Sequence, residues 1–443
     1  MVERCPDKTE VPGSIPGAPT FLNMKLKRKI KELLKILGPG LITGASDDDP
    51  SGIITYSIAG AKNYKDFLWT PLFTLPLMYY IQEMCARIAL VTGKGLLGAI
   101  KQKFGFLISI IFFILILISN TLNIYADLYI SGNIFNFILP FVPSYVFSLI
   151  LGLIITVLTL IFPYKKIVNI LKFSTILMLS YIFLIFFIKI NWSEILIYLF
   201  IPKIEFTYEY FMILLAILGT TISPYLFFWQ AEEEVEELHQ KELEHKKISI
   251  KKEMKYMRED TFVGMLFSNI LMFFIILVTG NILNPLGIYD IEEIEDLILV
   301  LKYAYGGLSI LIFATFILSS TFIVIPILAG GVAYSFCEIF NLPASLDKKA
   351  KESLIFYFVF FLSILFSHLF FILNWTAIKA LFYTAIIYGL FTPFILFYIL
   401  KLANDKNIMK EYKNTPFQNA IVYIVLFLTS ISSFILIFQI FKG

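Results

Sequence analysis

Cysteine and histidine, the residues that most often hold zinc and copper, occur only three times each in 443 residues. Cys5, Cys85 and Cys337 are scattered without Cys-x-x-Cys spacing, which excludes a disulfide framework and a thiolate metal centre. His239 and His245 stand six apart in a basic stretch and His368 lies alone. With no His-Glu-x-x-His motif either, a membrane-embedded metalloprotease or lipid transferase has no catalytic set to work with. Charge is scarce too: Asp, Glu, Lys and Arg make up 16% of the chain, and a net charge of +3 makes no case for a nucleic-acid partner. What fills the chain instead is apolar. Hydrophobic residues are 58%, aromatics 17%, mean hydropathy is +0.81, and runs such as FLISIIFFILILISNTL carry no charge, which reads as an all-α polytopic protein of the lipid bilayer.

A spanning length of about 20 residues divides the chain into eleven predicted transmembrane helices. They lie near 36–61, 67–92, 106–129, 145–162, 166–190, 209–231, 261–283, 307–336, 352–373, 377–400 and 418–441. The loops alternate in basic content. With the N-terminus cytoplasmic, 25 Lys and Arg fall in the inner segments and 5 on the opposite side, whose longest loop is acidic instead, YDIEEIED. The expectation is a multi-pass protein of the cell membrane with its N-terminus inside and its C-terminus outside. Residues 1–23 are rich in Pro and Gly and lack the apolar core of a secretory signal, so they read as a tail. Met24, which opens the basic run MKLKRKIKELLK, is an alternative start.

Inside the first apolar segment stands GASDDDPSG. Asp47, Asp48 and Asp49 lie about 16 Å from Ile36 at about 1.5 Å per residue, near the bilayer midplane. One Asp at that depth costs about 2.5–3.5 kcal/mol on insertion scales, and its side chain is too short to reach the interface. Three successive residues of a helix point three ways, so they converge on one cavity only where the helix is broken, and Pro50, Ser51 and Gly52 supply a break. Unwound backbone at midplane is tolerated where it is buried in protein or lines a wet cavity. Its freed carbonyls, beside carboxylates, make a hard-oxygen site suited to a cation.

The sixth segment has a matching defect. GTTISPYLFFWQAEEEVEE places Ser223 and Pro224 in mid-span, led by Gly219, Thr220 and Thr221. Five spans separate the two breaks, an odd number, so the halves face opposite ways. Interrupted helices at corresponding positions of two inverted halves mark the central site of a secondary transporter. The domain plan is therefore a cytoplasmic tail (1–35), a first five-helix repeat (36–190), a second (209–400), and a loop with an eleventh helix (401–443).

GPGLITGASDDDPSGIITYSIAGA and TTISPYLFFWQ resemble the first and sixth helices of the Nramp family of divalent-metal transporters, which share the LeuT-type 5+5 inverted-repeat fold. The resemblance runs from about Gly38 to the C-terminus. In that family a first-helix Asp-Pro-Gly-Asn motif binds the ion through its Asp and Asn, together with the Met of a sixth-helix Met-Pro-His motif. Here Asp49 and Pro50 match the Asp and Pro, while Gly52 stands at the Asn, Ser223 at the Met and Tyr225 at the His. The resemblance thus implies a divalent cation held by Asp49, with Asp48 as the second choice of carboxylate, and by backbone around Gly52 and Ser223. Without soft Met sulfur the site offers hard oxygen with room for water, which suits Mg²⁺ or Mn²⁺ and places the chain nearest the Nramp-related branch associated with those ions. Fe²⁺ stays open as cargo, and no cofactor is implied beyond the transported ion. With Tyr225 and Gln230 where titratable His would stand, proton coupling is expected to be weak or absent.

Other intramembrane charges have two readings each. Asp127 reads equally as a carboxylate of the ion pathway or as a residue of the outer interface. Glu83 precedes Arg87 by four residues and reads as a structural ion pair. Glu232 opens AEEEVEE, either an acidic inner mouth that gathers cations or a solvated helix end. An amino-acid or organic-ion transporter of the same fold would hold a carboxylate on exposed amides, which three aspartates would repel; a channel would more often assemble short identical subunits. The expected mechanism is alternating access, with the ion leaving inward past the glutamates as the inner half of the first helix swings.

Overall fold

The computed structural model describes residues 38–442 apart from 163, 246–247, 290, 292–293, 347–351 and 374. The predicted tail and the alternative start at Met24 lie outside the described residues. From Pro39 onward the predicted spans fall mostly on helix, and no strand occurs among the described residues. The first span is split into α1 (Pro39–Asp47) and α2 (Pro50–Phe67). There follow α3 (Thr70–Thr92), the short α4 (Leu96–Phe104), α5 (Phe106–Ile138), α6 (Ser144–Ile161), α7 (Tyr164–Met178), which tightens into a 3₁₀-helix over Leu179–Phe187, and the short α8 (Trp192–Phe200). The second half repeats the plan. It has a split span, α9 (Tyr208–Thr221) and α10 (Pro224–Leu243), then α11 (Ile250–Leu283), a short α12 (Ile294–Tyr305), α13 (Gly307–Phe340), α14 (Leu354–Ser367), α15 (Leu369–Ile372) and α16 (Ala377–Ala403). The small α17 (Lys406–Met409) leads to α18 (Pro416–Lys442).

Among the described residues nine helices are long and apolar enough to cross a membrane. The other two predicted spans carry the polar load: the first is cut at its aspartates, and α3 holds Gln82, Glu83 and Arg87. The charge-laced connector that follows the sixth span is helical, as its sequence leads one to expect: α10 runs on to Leu243 and α11 starts at Ile250. Charges there support helix beyond the bilayer, with Lys241 bridging Glu253 at 2.6 Å and Glu237 at 3.7 Å. Farther along, Asp405 meets Lys103 at the foot of α4, and that hydrogen bond holds the Asp405 carboxyl below the usual carboxylate range.

Packing follows the exchange of one half for the other. The first span lies along α11 and the sixth along α3, which are equivalent pairings in an inverted repeat; α5 packs on both α13 and α16, and α13 correspondingly on α5 and the α7 segment. The closest approach is between α1 and α11, backbone to backbone. A Cβ added to Gly44 would lie 2.0 Å from the Gly264 carbonyl oxygen, and one added to Gly264 would lie 1.8 Å from that of Gly40. One turn before Gly264, the Asp260 carboxylate accepts from the N–H groups of Gly38 (2.9 Å), Gly40 (2.7 Å) and Leu41 (3.2 Å). These are the unpaired amides at the start of α1, so a side chain of α11 supplies the cap that α1 lacks.

A second polar knot ties the far end of α3. Glu83 accepts from Arg87 Nε (3.1 Å), Arg258 Nε (2.9 Å) and Gln418 Nε2 (3.3 Å), while Arg87 also donates to Asn414 Oδ1 (2.6 Å) and to the Tyr412 carbonyl. Both Glu83 and Arg87 are buried, so the pair joins α3, α11 and the segment before α18 as structure.

Two outcomes follow for thermal unfolding of the purified protein in detergent. Gly264→Ala should destabilise by at least about 1–3 kcal/mol, the usual cost of overpacking, because main chain cannot yield as a side chain does; Gly219→Ala, with nothing within 4 Å of the added carbon, should be neutral or stabilising. Glu83→Gln should cost about 3–5 kcal/mol by stranding buried Arg87.

Candidate cation site at two helix breaks

The two interruptions have one backbone design. Asp48 (φ −87°, ψ 51°) and Ile222 (φ −115°, ψ 57°) end the first half-helices; Asp49 (φ −70°, ψ 168°) and Ser223 (φ −87°, ψ 131°) are extended and open the second ones, with Pro50 and Pro224 next. Proline pushes its predecessor into extended conformation and is itself suited to the first helical position. Pro50, Ser51 and Gly52 are therefore the first turn of α2, and the unwound residues are Asp48 and Asp49. This corrects the expectation for Gly52: its N–H donates to Asp49 Oδ1 at 2.8 Å, and its carbonyl lies within the helix rather than in unwound backbone.

All three aspartates are buried, at 1% exposure or less. Asp47 Oδ2 accepts from Ser268 of α11 at 2.6 Å and its Oδ1 has no partner. Both oxygens of Asp48 are buried without a partner. Asp49 Oδ1 accepts from Ser51 Oγ and the Gly52 N–H, and its Oδ2 accepts from Asn123 Nδ2 of α5 at 3.0 Å. Among the described residues no Lys or Arg pairs with any of the three. The freed carbonyls are treated differently: Tyr225 Oη donates to Ser46 O at 2.8 Å and Ser320 Oγ to Asp48 O at 2.6 Å. Tyr225 thus pins the sixth span to the unwound end of α1, and its ring stacks on Tyr388.

Ser223 is buried, and its hydroxyl donates back to Thr220 O at 2.6 Å, closing the end of α9. Asp127 is fully buried, with both oxygens unpartnered, one turn beyond Asn123 on α5. Sequence reasoning did not single out Asn123. The signal was present: Ser119, Asn123, Asp127 and Ser131 recur every four residues along α5, a polar stripe on one helix face in an otherwise apolar segment. All four are buried, and Ser131 meets Thr321 of α13 at 2.6 Å.

Of the α10 glutamates, Glu242 is exposed and Glu237 partly so. Glu232, Glu233, Glu234 and Glu236 are buried. The Glu232 carboxylate rests on the Cα of Gly95 and interacts with Glu338 of α13, whose Oε2 accepts the Gly98 N–H at 2.8 Å. Glu236 accepts from Tyr334 Oη (3.1 Å) and Ser345 Oγ (2.6 Å), and Glu234 from Gln230 Nε2 (3.1 Å). Glu232 is therefore some distance along α10 from the breaks, packed against α4 and α13.

Known proteins share this architecture. A divalent metal cation transporter MntH of Caldanaerobacter subterraneus subsp. tengcongensis is 23% identical over 434 residues, covering 95% of this chain and 97% of that relative. The crystal structure of a manganese transporter of Eremococcus coleocola superposes with a TM-score of 0.72 at 16% identity, over 96% of this chain and 88% of that one. Mhp1, a nucleobase-cation-symport-1 family transporter, superposes with a TM-score of 0.55 at 11% identity, over 92% and 93%. At these identities the superpositions establish the shared LeuT-type fold. The family model for natural resistance-associated macrophage protein-like (Nramp) proteins matches residues 40–439, nearly the whole described chain, and the chain belongs to the Nramp family.

Proposed function

We propose that this chain is a secondary transporter that moves divalent metal cations, Mn²⁺ or Mg²⁺ and also Fe²⁺, across the cell membrane by alternating access. The observation that carries the reading is the buried carboxylate row with no cationic side chain among the described residues to balance it. A permanent arrangement of that kind is expensive; one visited by a dication is not. Membership of the Nramp family and the printed function of its MntH relative support the same substrate class.

In this reading Asp49 is the principal carboxylate, held in place by Ser51 and Gly52, and Asp48 is the second. Ser223 borders the site at the other break and offers a hydroxyl and backbone oxygen. Oxygen ligands without thioether suit a hydrated, hard ion, so Mg²⁺ competes with Mn²⁺. Tyr225 replaces a titratable His, and proton coupling is weak or absent. Asp127 lies on the pathway beside the site. The excess of basic residues in alternate loops supports a cytoplasmic N-terminus and an extracellular C-terminus. This chemistry requires neither a cofactor nor an enzyme's nucleophile.

Mn²⁺ uptake into proteoliposomes, with internal pH recorded in the same vesicles, tests this. The parent should take up Mn²⁺ in competition with millimolar Mg²⁺ and without acidification. Asp49→Ala, checked for an unchanged unfolding midpoint, should fall to the rate of empty vesicles. Full uptake by a folded Asp49→Ala protein defeats the site assignment, and Mn²⁺ uptake that ignores Mg²⁺ and carries protons defeats the hard-ligand, uncoupled reading.

A further inference from the structure

Asn123 is 1% exposed, yet only one end of its amide is used. Nδ2 donates to Asp49 Oδ2 at 3.0 Å, while Oδ1 is buried with no partner. This orientation follows from chemistry. An ionised carboxylate only accepts, so the amide must turn its NH₂ toward Asp49 and leave its carbonyl oxygen stranded. A buried carbonyl oxygen without a donor is destabilising, and a side chain placed so that one orientation strands it invites a ligand that favours the other.

We propose that Asn123 is a side-chain ligand of the transported cation, its amide turning over as the ion arrives at Asp49. Half a turn about Cβ–Cγ exchanges Nδ2 and Oδ1. It withdraws a donor that competes with the cation for Asp49 Oδ2 and brings a neutral, hard oxygen beside that carboxylate. The NH₂ group then points back toward α5's own surroundings, where Asp127, one turn along the same face, offers two unpartnered oxygens. Because Asp49 belongs to the first span and Asn123 to the third, an ion held by both would link two elements that the amide hydrogen bond joins here. The inference rests on the reading of Asp49 as the cation's carboxylate.

The test uses purified full-length protein, with Mn²⁺ and Cd²⁺ binding followed calorimetrically and uptake followed in proteoliposomes. Asn123→Leu keeps the volume and removes the ligand, and it should weaken Mn²⁺ at least tenfold with a metal-free unfolding midpoint near the parent's. Asn123→Cys places a soft ligand at the same point and should raise the Cd²⁺ to Mn²⁺ affinity ratio at least tenfold over the parent. A residue that only positions Asp49 would change both ions alike. The proposal is overturned if Asn123→Leu keeps Mn²⁺ affinity within twofold, or if the Cd²⁺ to Mn²⁺ ratio of Asn123→Cys equals the parent's; should Asn123→Leu fail to fold, that ratio alone decides. Asp49→Ala separates the two claims. If it abolishes binding while the Asn123 variants behave like the parent, the transport reading stands and this inference fails; if Asp49→Ala binds normally, the transport reading itself fails.

Discussion

Negative charge without a resident counter-charge, buried where the first span unwinds, is the constraint on which the surrounding structure depends. Asp47, Asp48 and Asp49 are closed off from solvent, and each ionised carboxylate removed from water carries a penalty of several kcal/mol unless it is paired. The neighbours divide their work by acceptor type. Hydroxyls of Tyr225 and Ser320 are committed to the carbonyls of Ser46 and Asp48 at the break. The carboxylates receive much less: Asp48 has no donor at all, and Asp47 keeps one oxygen free. Permanent defects have permanent partners, and charge is left for something that arrives and departs.

Symmetry of the backbone and asymmetry of the chemistry coexist in the two breaks. Asp48–Asp49–Pro50 and Ile222–Ser223–Pro224 have the same succession of conformations, so the repeat builds one kind of gap twice. Only the first gap is charged. At the second, Ser223 uses its proton on the end of its own half-helix, and the group that reaches across is Tyr225, which donates to the first span. The sixth span thus stabilises the unwound end of the first rather than adding an anionic side chain.

Much of this was legible before any coordinates. Both breaks follow from apolar run length, proline placement and the cost of aspartate at midplane, while the choice of Asp49 among the three aspartates is what the family resemblance implies. Three features were not. The position of the break was misplaced by two residues because proline was treated as an interruption, when at a helix's first position it is an initiator. The partners of Glu232 were hidden because a run of glutamates at a helix end looks solvated, and only the tertiary contact with Gly95 and Glu338 removes it from water. Asn123 was overlooked because an isolated amide in a long apolar helix carries little weight alone, although the four-residue recurrence of Ser119, Asn123, Asp127 and Ser131 marks a common face.

How the first span can move is limited by the same contacts. A swing of α1 alone would have to separate Gly40 and Gly44 from Gly264, where backbone meets backbone, and would strip three amides of the Asp260 carboxylate at once. Each of those charge-assisted hydrogen bonds is worth about 1.5–3 kcal/mol, and the unwound residues 48–49 offer a far softer joint. These contacts tie α1 to α11, while Tyr225 of α10 holds the unwound end of α1 through the Ser46 carbonyl. On the proposed reading, the joint at the aspartates is both the place where the ion is held and the place where the chain bends, so occupancy of one bears on the freedom of the other.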